Sequence, residues 1–292
     1  VAAAVGYDPD LPAMRRAMLA AGLTDAIPAA GRTAADAIGR QWELLGCATD
    51  RPRPGCDVTV NFDVQVLRNQ PPAVVFAQLL FGFELMRADP RWAGLNMVQP
   101  EDGPYSLRDY RLHMRMIRYL RSVYPEGRVT LHAGELAPGL APPEHLRFHI
   151  RAAVSVAGAD RIGHGADLRW ERDPEGLLRR IKRRGVCLEI NLTSNRQILG
   201  LKGRAHPIRD YARAGVRVTL STDDEGVSRT NLTSQYVQAA RRHGFGYRAL
   251  KRFARDGLRC AFLDPAEKRA ALADQARRFR RFEARFPGRR AR

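Results

Sequence analysis

A rhythm constrains this chain more than any single residue. From about residue 58 to 230, short apolar runs of β-forming residues alternate with helical patterns. The repeat is roughly 30 residues, the length of one strand–helix–strand unit. The pattern predicts strands at 58–66, 94–98, 128–132, 161–164, 186–191 and 216–220. With few polar alternations, these runs suit strands buried on both faces of a parallel sheet. Helical spacing marks 71–86, 107–123, 143–157, 174–184 and 206–214, and three more helices over 231–286. Pro71, Pro143 and Pro174 open helices, Ser106 is a candidate N-cap, and Gly185 and Gly215 stand just past helix ends.

Alternation of this kind means an α/β fold with a parallel sheet, either doubly wound or closed as a barrel. The polar residues choose between them. His132, His164, Asn191 and Asp223 all fall at the C-terminal ends of successive strands. Reactive groups at several strand ends are the hallmark of a (β/α)8 barrel of the TIM type. Only six strands are legible, so the barrel is expected to be incomplete at its N-terminus. One domain over 1–292 is expected, with a helical lead-in to residue 57, strand–helix repeats to 230, and C-terminal helices beyond. The Pro- and Gly-rich stretch 134–143 is a loop that covers a site.

The formal net charge is +18, yet only four of the 49 basic residues are Lys. That bias reads as coding composition. With no recognition-helix, zinc-finger or RNA-binding signature, nucleic acid is not the expected partner. The sharpest basic cluster is RRFRRFEARFPGRRAR from Arg277, read as the exposed face and end of a last helix. No apolar run approaches the length of a membrane span. Cys47, Cys56, Cys187 and Cys260 are scattered without a C-x-x-C pair and are read as buried free thiols. The default compartment is the cytoplasm. The first residue is Val rather than Met, which leaves periplasm or secretion open.

Three stretches carry the chemistry. TLHAGE (130–135) ends an apolar strand in His132, then turns through Ala and Gly134 to Glu135. RIGHG (161–165) ends a strand in His164 between two glycines. LSTDDEG (220–226) places Asp223 and Asp224 side by side after a strand. Each alone reads blandly, as a core histidine, a solvated turn glutamate or a helix-capping Asp turn. Together they converge in a barrel mouth. His and carboxylate ligands suit catalytic zinc, which lowers the pKa of a bound water to about 7. Glu135 is then a candidate proton donor and His164 a handler of the water proton.

HAGE, RIGHG, LTSN (192–195) and STDD (221–224), in this order, resemble the adenosine deaminase family of metal-dependent amidohydrolases. The resemblance covers roughly 58–265. It implies hydrolytic removal of the 6-amino group of a purine nucleoside, adenosine or deoxyadenosine, at one Zn(2+) per site. It implies His132 and Asp223 as zinc ligands, Glu135 and His164 as catalytic groups, and Asp224 on the purine ring. Gly134 and Asn195 fall in the substrate pocket.

Two departures stand out. The family completes its metal site with a His-x-His pair, and none of the seven histidines here forms one. The first barrel strand is therefore expected to lie outside this sequence. His113, His145 and His149 read as surface or packing residues. In NMVQPED (96–102), Gln99 and Pro100 occupy the neighbourhood where familiar members place a purine-contacting glycine. That opens a second reading, a modified or larger purine nucleoside. A third is a catalytically inactive barrel that acts by binding. The Cys-ligated nucleobase deaminases are excluded, because they require a Pro-Cys-x-x-Cys pair. Oligomeric state is left open.

Overall fold

The structure is a computed structural model that describes residues 8–286. Helices α1 (Leu11–Ala20) and α2 (Ile27–Leu45) lead in. Strand and helix then alternate: β1 (Phe62–Leu67), α3 (Pro72–Ala88), β2 (Trp92–Val98), α4 (Pro104–Val123) and β3 (Val129–Ala133). After β3 come α5 (His149–Ala152), β4 (Arg161–His164), α6 (Pro174–Arg184), β5 (Cys187–Ile190), α7 (Leu192–Ile198), α8 (Ile208–Ala214) and β6 (Arg217–Leu220). Four helices follow: α9 (Glu225–Ser228), α10 (Leu232–Arg241), α11 (Tyr247–Cys260) and α12 (Pro265–Arg285). The part of the arginine-rich tail beyond residue 286 lies outside the described residues.

All six expected strands form one parallel sheet in the order β1 to β6. The sheet curls. Asp63 on β1 lies 3.7 Å from Arg161 on β4, three strands away. In a flat sheet those strands would be about 14 Å apart. Thr130 on β3 likewise donates to Glu189 on β5 at 2.7 Å. These side chains meet across the concave face, so the sheet is six strands of a barrel. Among the described residues β1 and β6 each have one neighbouring strand.

The strands are not apolar on both faces, as the sequence suggested. Val64, Val66, Leu95, Met97, Leu131, Ile162, Leu188, Val218 and Leu220 are buried and form the layer under the helices. Asp63, Gln65, Asn96, Thr130, Arg161 and Glu189 alternate with them. The polar set is small and regular, so it disappears into a short apolar run.

Other readings need correction. Helix α4 begins at Pro104 with Gly103 as N-cap, and Ser106 instead donates its hydroxyl to the Pro100 carbonyl. The expected helix 143–157 is broken into a 3-10 turn, the short α5 and a π-turn at Ala153–Ala157. The LTSN stretch, not expected to be helical, opens α7. The cysteines are not free thiols: Cys47 pairs with Cys56, and Cys187 with Cys260. The second bond ties the start of β5 to the end of α11. No helix among the described residues is long and apolar enough to cross a membrane.

Candidate active site

The strand ends open into a cavity of about 520 Å³. His132, Glu135, Asp223 and Asp224 line it, with Asn96, Gln99, Glu101, Asp102 and an apolar edge of Leu140, Ile198 and Leu199. Gln99, His164 and Asp223 all have positive φ, at 77°, 68° and 57°. Such backbone costs about 1–3 kcal/mol per residue and persists where surrounding structure imposes it. Its concentration at one set of strand ends marks this mouth as the place where side-chain direction matters.

Register places the two histidines side by side. His132 lies beside Gly163, and Ala133 beside His164. The rings of His132 and His164 are 4.7 Å apart. A side chain at Gly163 would meet no atom closer than 3.6 Å, whereas one at Gly165 would strike Tyr211 and Leu188. Only the second glycine makes room for packing.

Asn96 fixes the state of His132. The His132 backbone N–H donates to Asn96 Oδ1 at 3.2 Å, which identifies that atom as an acceptor. His132 Nδ1 stands 3.0 Å from the same oxygen, so Nδ1 carries the proton and Nε2 keeps its lone pair. Burial, then the neighbouring His164 and Arg68, hold the ring neutral, down at about 3. Nε2 points toward Asp223 Oδ1, 4.0 Å away.

That spacing tests whether a metal fits. Two ligand atoms, each about 2.1 Å from one ion, stand at most about 4.2 Å apart. His132, Glu135 and His164 bring one potential ligand atom each within 4.8 Å of one another, a looser group than the His132–Asp223 pair. An imidazole nitrogen beside carboxylate oxygens is a donor set that suits zinc.

Glu135 is held by its backbone. After His132 the chain turns through Gly134 at φ +75°, where a Cβ would lie 2.4 Å from Asp167 Oδ1 and 2.6 Å from Ile150. The turn's two amides, Gly134 N and Glu135 N, donate to the carboxylate oxygens of Glu101 at 3.0 and 2.7 Å. His149 Nδ1 meets the same carboxylate at 2.6 Å, and Tyr110 stacks on the imidazole. Burial alone would raise Glu101, but His149, Arg68 and the Gly134 amide outweigh it and hold the carboxyl at about 2. The anchored turn aims Glu135 into the cavity. Burial first, then Asp223 and Glu101, push its carboxyl up to about 8. Oε1 of Glu135 is buried without a hydrogen-bond partner. Burial and the neighbouring carboxylates thus favour the protonated form of Glu135.

His164 is fully buried, with Nδ1 3.4 Å from Glu135 Oε1 and 2.8 Å from the Asn195 amide. Asn195 itself is fully buried, its amide shared between His164 and His206. Gly134 faces Asp167 and Ile150 and turns its amide to Glu101. Asp224 sits exposed at the rim as N-cap of α9, without a side-chain capping bond. The Gln99 side-chain oxygen accepts from the Asn69 backbone N–H at 2.9 Å.

Sequence reading missed the residues that hold these groups. Glu101 lies inside the quoted NMVQPED stretch, two residues after Gln99. Asn96 is the polar residue in an otherwise apolar strand. Arg68, buried at the end of β1, donates to the carbonyls of Met97 and His132. His149, read as a packing residue away from the strand ends, is the partner of Glu101.

The chain is similar to known proteins in sequence and in fold. The adenosine deaminase family model matches residues 93–278. Adenosine deaminase of Mycobacterium tuberculosis is 30% identical over 238 residues, covering 78% of this chain and 59% of that protein. Aminodeoxyfutalosine deaminase of Streptomyces coelicolor is 33% identical over 174 residues, covering 52% and 44%. The chain spans about half the length of the curated relatives it matches. Among solved structures, a zinc-bound amidohydrolase from Burkholderia ambifaria superposes with a TM-score of 0.63 at 23% identity, covering 77% of this chain and 58% of that one. An Arabidopsis N6-mAMP deaminase superposes with a TM-score of 0.58 at 21% identity, covering 74% and 59%.

Proposed function

Because the chain belongs to the adenosine deaminase family, we propose that its mouth hydrolyses the exocyclic C–N bond of a purine nucleoside, converting adenosine or deoxyadenosine to the inosine form and ammonia. The observation that carries this reading is Glu135: an anchored, buried carboxyl that faces the cavity and holds its proton up to about 8.

His132 and Asp223 would supply two of the ligands of a zinc ion. Bound there, it supplies Lewis-acid activation of water, lowering the water's pKa to about 7. The protein's own groups do the rest. Glu135 donates a proton to a ring nitrogen, which draws electrons from the carbon bearing the amino group. Water oxygen bonds to that carbon, with His164 beside it to orient the water; one water proton passes to the amino group and the other returns to Glu135. The amino group gains a proton and leaves as ammonia, so water and the amine give carbonyl and ammonia. Asp224 at the rim would hydrogen-bond the purine.

The wall electrostatics favour an uncharged nucleoside. Among the described residues, Glu101, Asp102, Glu135, Asp223 and Asp224 line the cavity, and no Lys or Arg does. Some structural neighbours are complexes with GMP or IMP. A phosphate in this mouth would meet carboxylates at short range. A larger or modified purine nucleoside is the second reading, favoured by Gln99, which takes a positive φ and reshapes the wall beside β2. The two disulfides favour an oxidising compartment over the cytoplasm.

The test is zinc content of the purified chain beside ultraviolet assays on adenosine, deoxyadenosine and AMP. Turnover of the nucleosides but not of AMP is the expected result. Faster turnover of AMP would overturn the nucleoside assignment. Stoichiometric zinc without turnover of any aminopurine would favour a barrel that only binds.

A further inference from the structure

His164 and His132 stand side by side, yet their surroundings hold them in opposite states. The chain of contacts behind His164 starts at an unambiguous donor. The backbone N–H of Ile208 donates to His206 Nδ1 at 3.1 Å. That nitrogen is therefore an acceptor, and the proton of neutral His206 sits on Nε2. Nε2 is 3.0 Å from Asn195 Oδ1 and donates to it. The orientation of the Asn195 amide follows: its NH2 faces His164 and donates to Nδ1 at 2.8 Å. All three side chains are buried.

We infer that His206 is a positioning residue which, through Asn195, locks His164 as the Nε2–H tautomer. The lock closes Nδ1 to donation. His164 then cannot donate from Nδ1 to Glu135 Oε1, 3.4 Å away, and that carboxyl stays free to face the substrate. Its only donor is Nε2–H, 3.4 Å from the buried Asn191 side-chain amide, which turns its unpartnered oxygen to that N–H. Asn96 does the reverse to His132, placing the proton on Nδ1 and leaving Nε2 as a lone pair. One asparagine presents its oxygen to a histidine and the other its nitrogen. The sense of the second is set by a histidine 11 residues further on. The effect on turnover rests on the deaminase reading; the tautomer does not.

The experiment is long-range 1H–15N spectroscopy of histidine-labelled full chain, with His164 assigned by its loss in His164→Gln. Wild type should show the Nε2–H tautomer at His164. Asn195→Asp offers only acceptors and should move the proton to Nδ1. His206→Phe should leave a mixture, and His206→Gln, which can still donate to Asn195, should restore the wild-type pattern. In turnover, His206→Phe should lower kcat about 10- to 100-fold, the usual cost of losing an outer partner, with KM little changed and His206→Gln rescuing. An Nδ1–H tautomer in wild type, or no change across His206→Phe and Asn195→Asp, would overturn the lock. If the tautomers behave as stated while wild type turns over no aminopurine, the lock stands and the deaminase reading falls.

Discussion

The two ends of the sheet are chemical opposites. At the C-terminal ends the cavity is lined, among the described residues, by five acidic side chains and no Lys or Arg. At the N-terminal ends a second cavity, of about 270 Å³, is lined by Arg128, Arg161, Arg184, Arg217, Arg259 and Lys268, with Asp160 as its one carboxylate among the described residues. The arginines cluster where strands begin: Arg128 precedes β3, Arg161 opens β4, Arg184 lies just before β5 and Arg217 opens β6. The same strands end at His132, His164, Asn191 and, just beyond β6, Asp223. Thus the net charge of +18 says little about the ligand. The basic cluster lies at the base, away from the mouth, where Arg68 is turned into the carbonyls of Met97 and His132 and acidic side chains line the cavity. In barrels of this type the C-terminal face carries function and the N-terminal face carries stability.

That contrast can be broken or sharpened by experiment. The largest expected effect is at the mouth. Glu135→Gln should lower turnover by about 10²–10⁴, the range for a lost proton donor, while thermal unfolding shows an intact fold. Unchanged turnover would remove Glu135 from the chemistry. At the base, replacing Cys187 and Cys260 together by Ala opens a closure of 73 residues. The loop-entropy relation puts the loss near 4 kcal/mol, read as a lower denaturation midpoint. Nucleoside affinity should be unaffected, and a large loss of affinity would show that the two ends are coupled.

The next effect is pH-dependent and belongs to the mouth. A carboxyl near 4.5 in the unfolded chain and raised to about 8 in the fold binds a proton that the unfolded chain has released. Folding stability therefore falls as pH rises from about 4.5 to 8, by up to about 1.4 kcal/mol per unit for this group. In metal-free protein, Glu135→Gln should remove that slope, so its denaturation midpoint should gain on wild type as pH rises from 6 to 8. Parallel profiles would contradict the burial argument. The smallest effect is at the base. Arg217 is exposed and bonds only a backbone carbonyl, that of Gly185, among the described contacts. Arg217→Ala should change stability by less than about 0.5 kcal/mol and leave turnover alone. A loss of turnover would erase the division between the two ends.

Much of this was legible in the chain. Every strand and most of the helices followed from local pattern, because each segment's apolar spacing is set by the face it must bury. His132, Glu135, His164 and Asp223 could be picked because each stands at or just beyond a strand end, and parallel strands bring those ends together. The cysteines could not be paired from sequence. Cys187 and Cys260 sit in separate elements, and only the docking of α11 on the sheet brings them to 6.1 Å between Cα atoms. Glu101 and His149 were illegible for the same reason: 48 residues separate two side chains that share one hydrogen bond.

The sequence by itself determined the alternation of strand and helix, the parallel order, and which reactive side chains reach the mouth. All of these depend on periodicity within one segment and on its turns. Only the tertiary structure decided the state of those side chains: which nitrogen of each histidine holds a proton, whether Glu135 keeps its own, and which carboxylate pins the turn beneath it. Protonation and tautomer are set by partners within about 3 Å and by exclusion of water. Here those partners come from other strands and helices, and no local pattern in the chain encodes them.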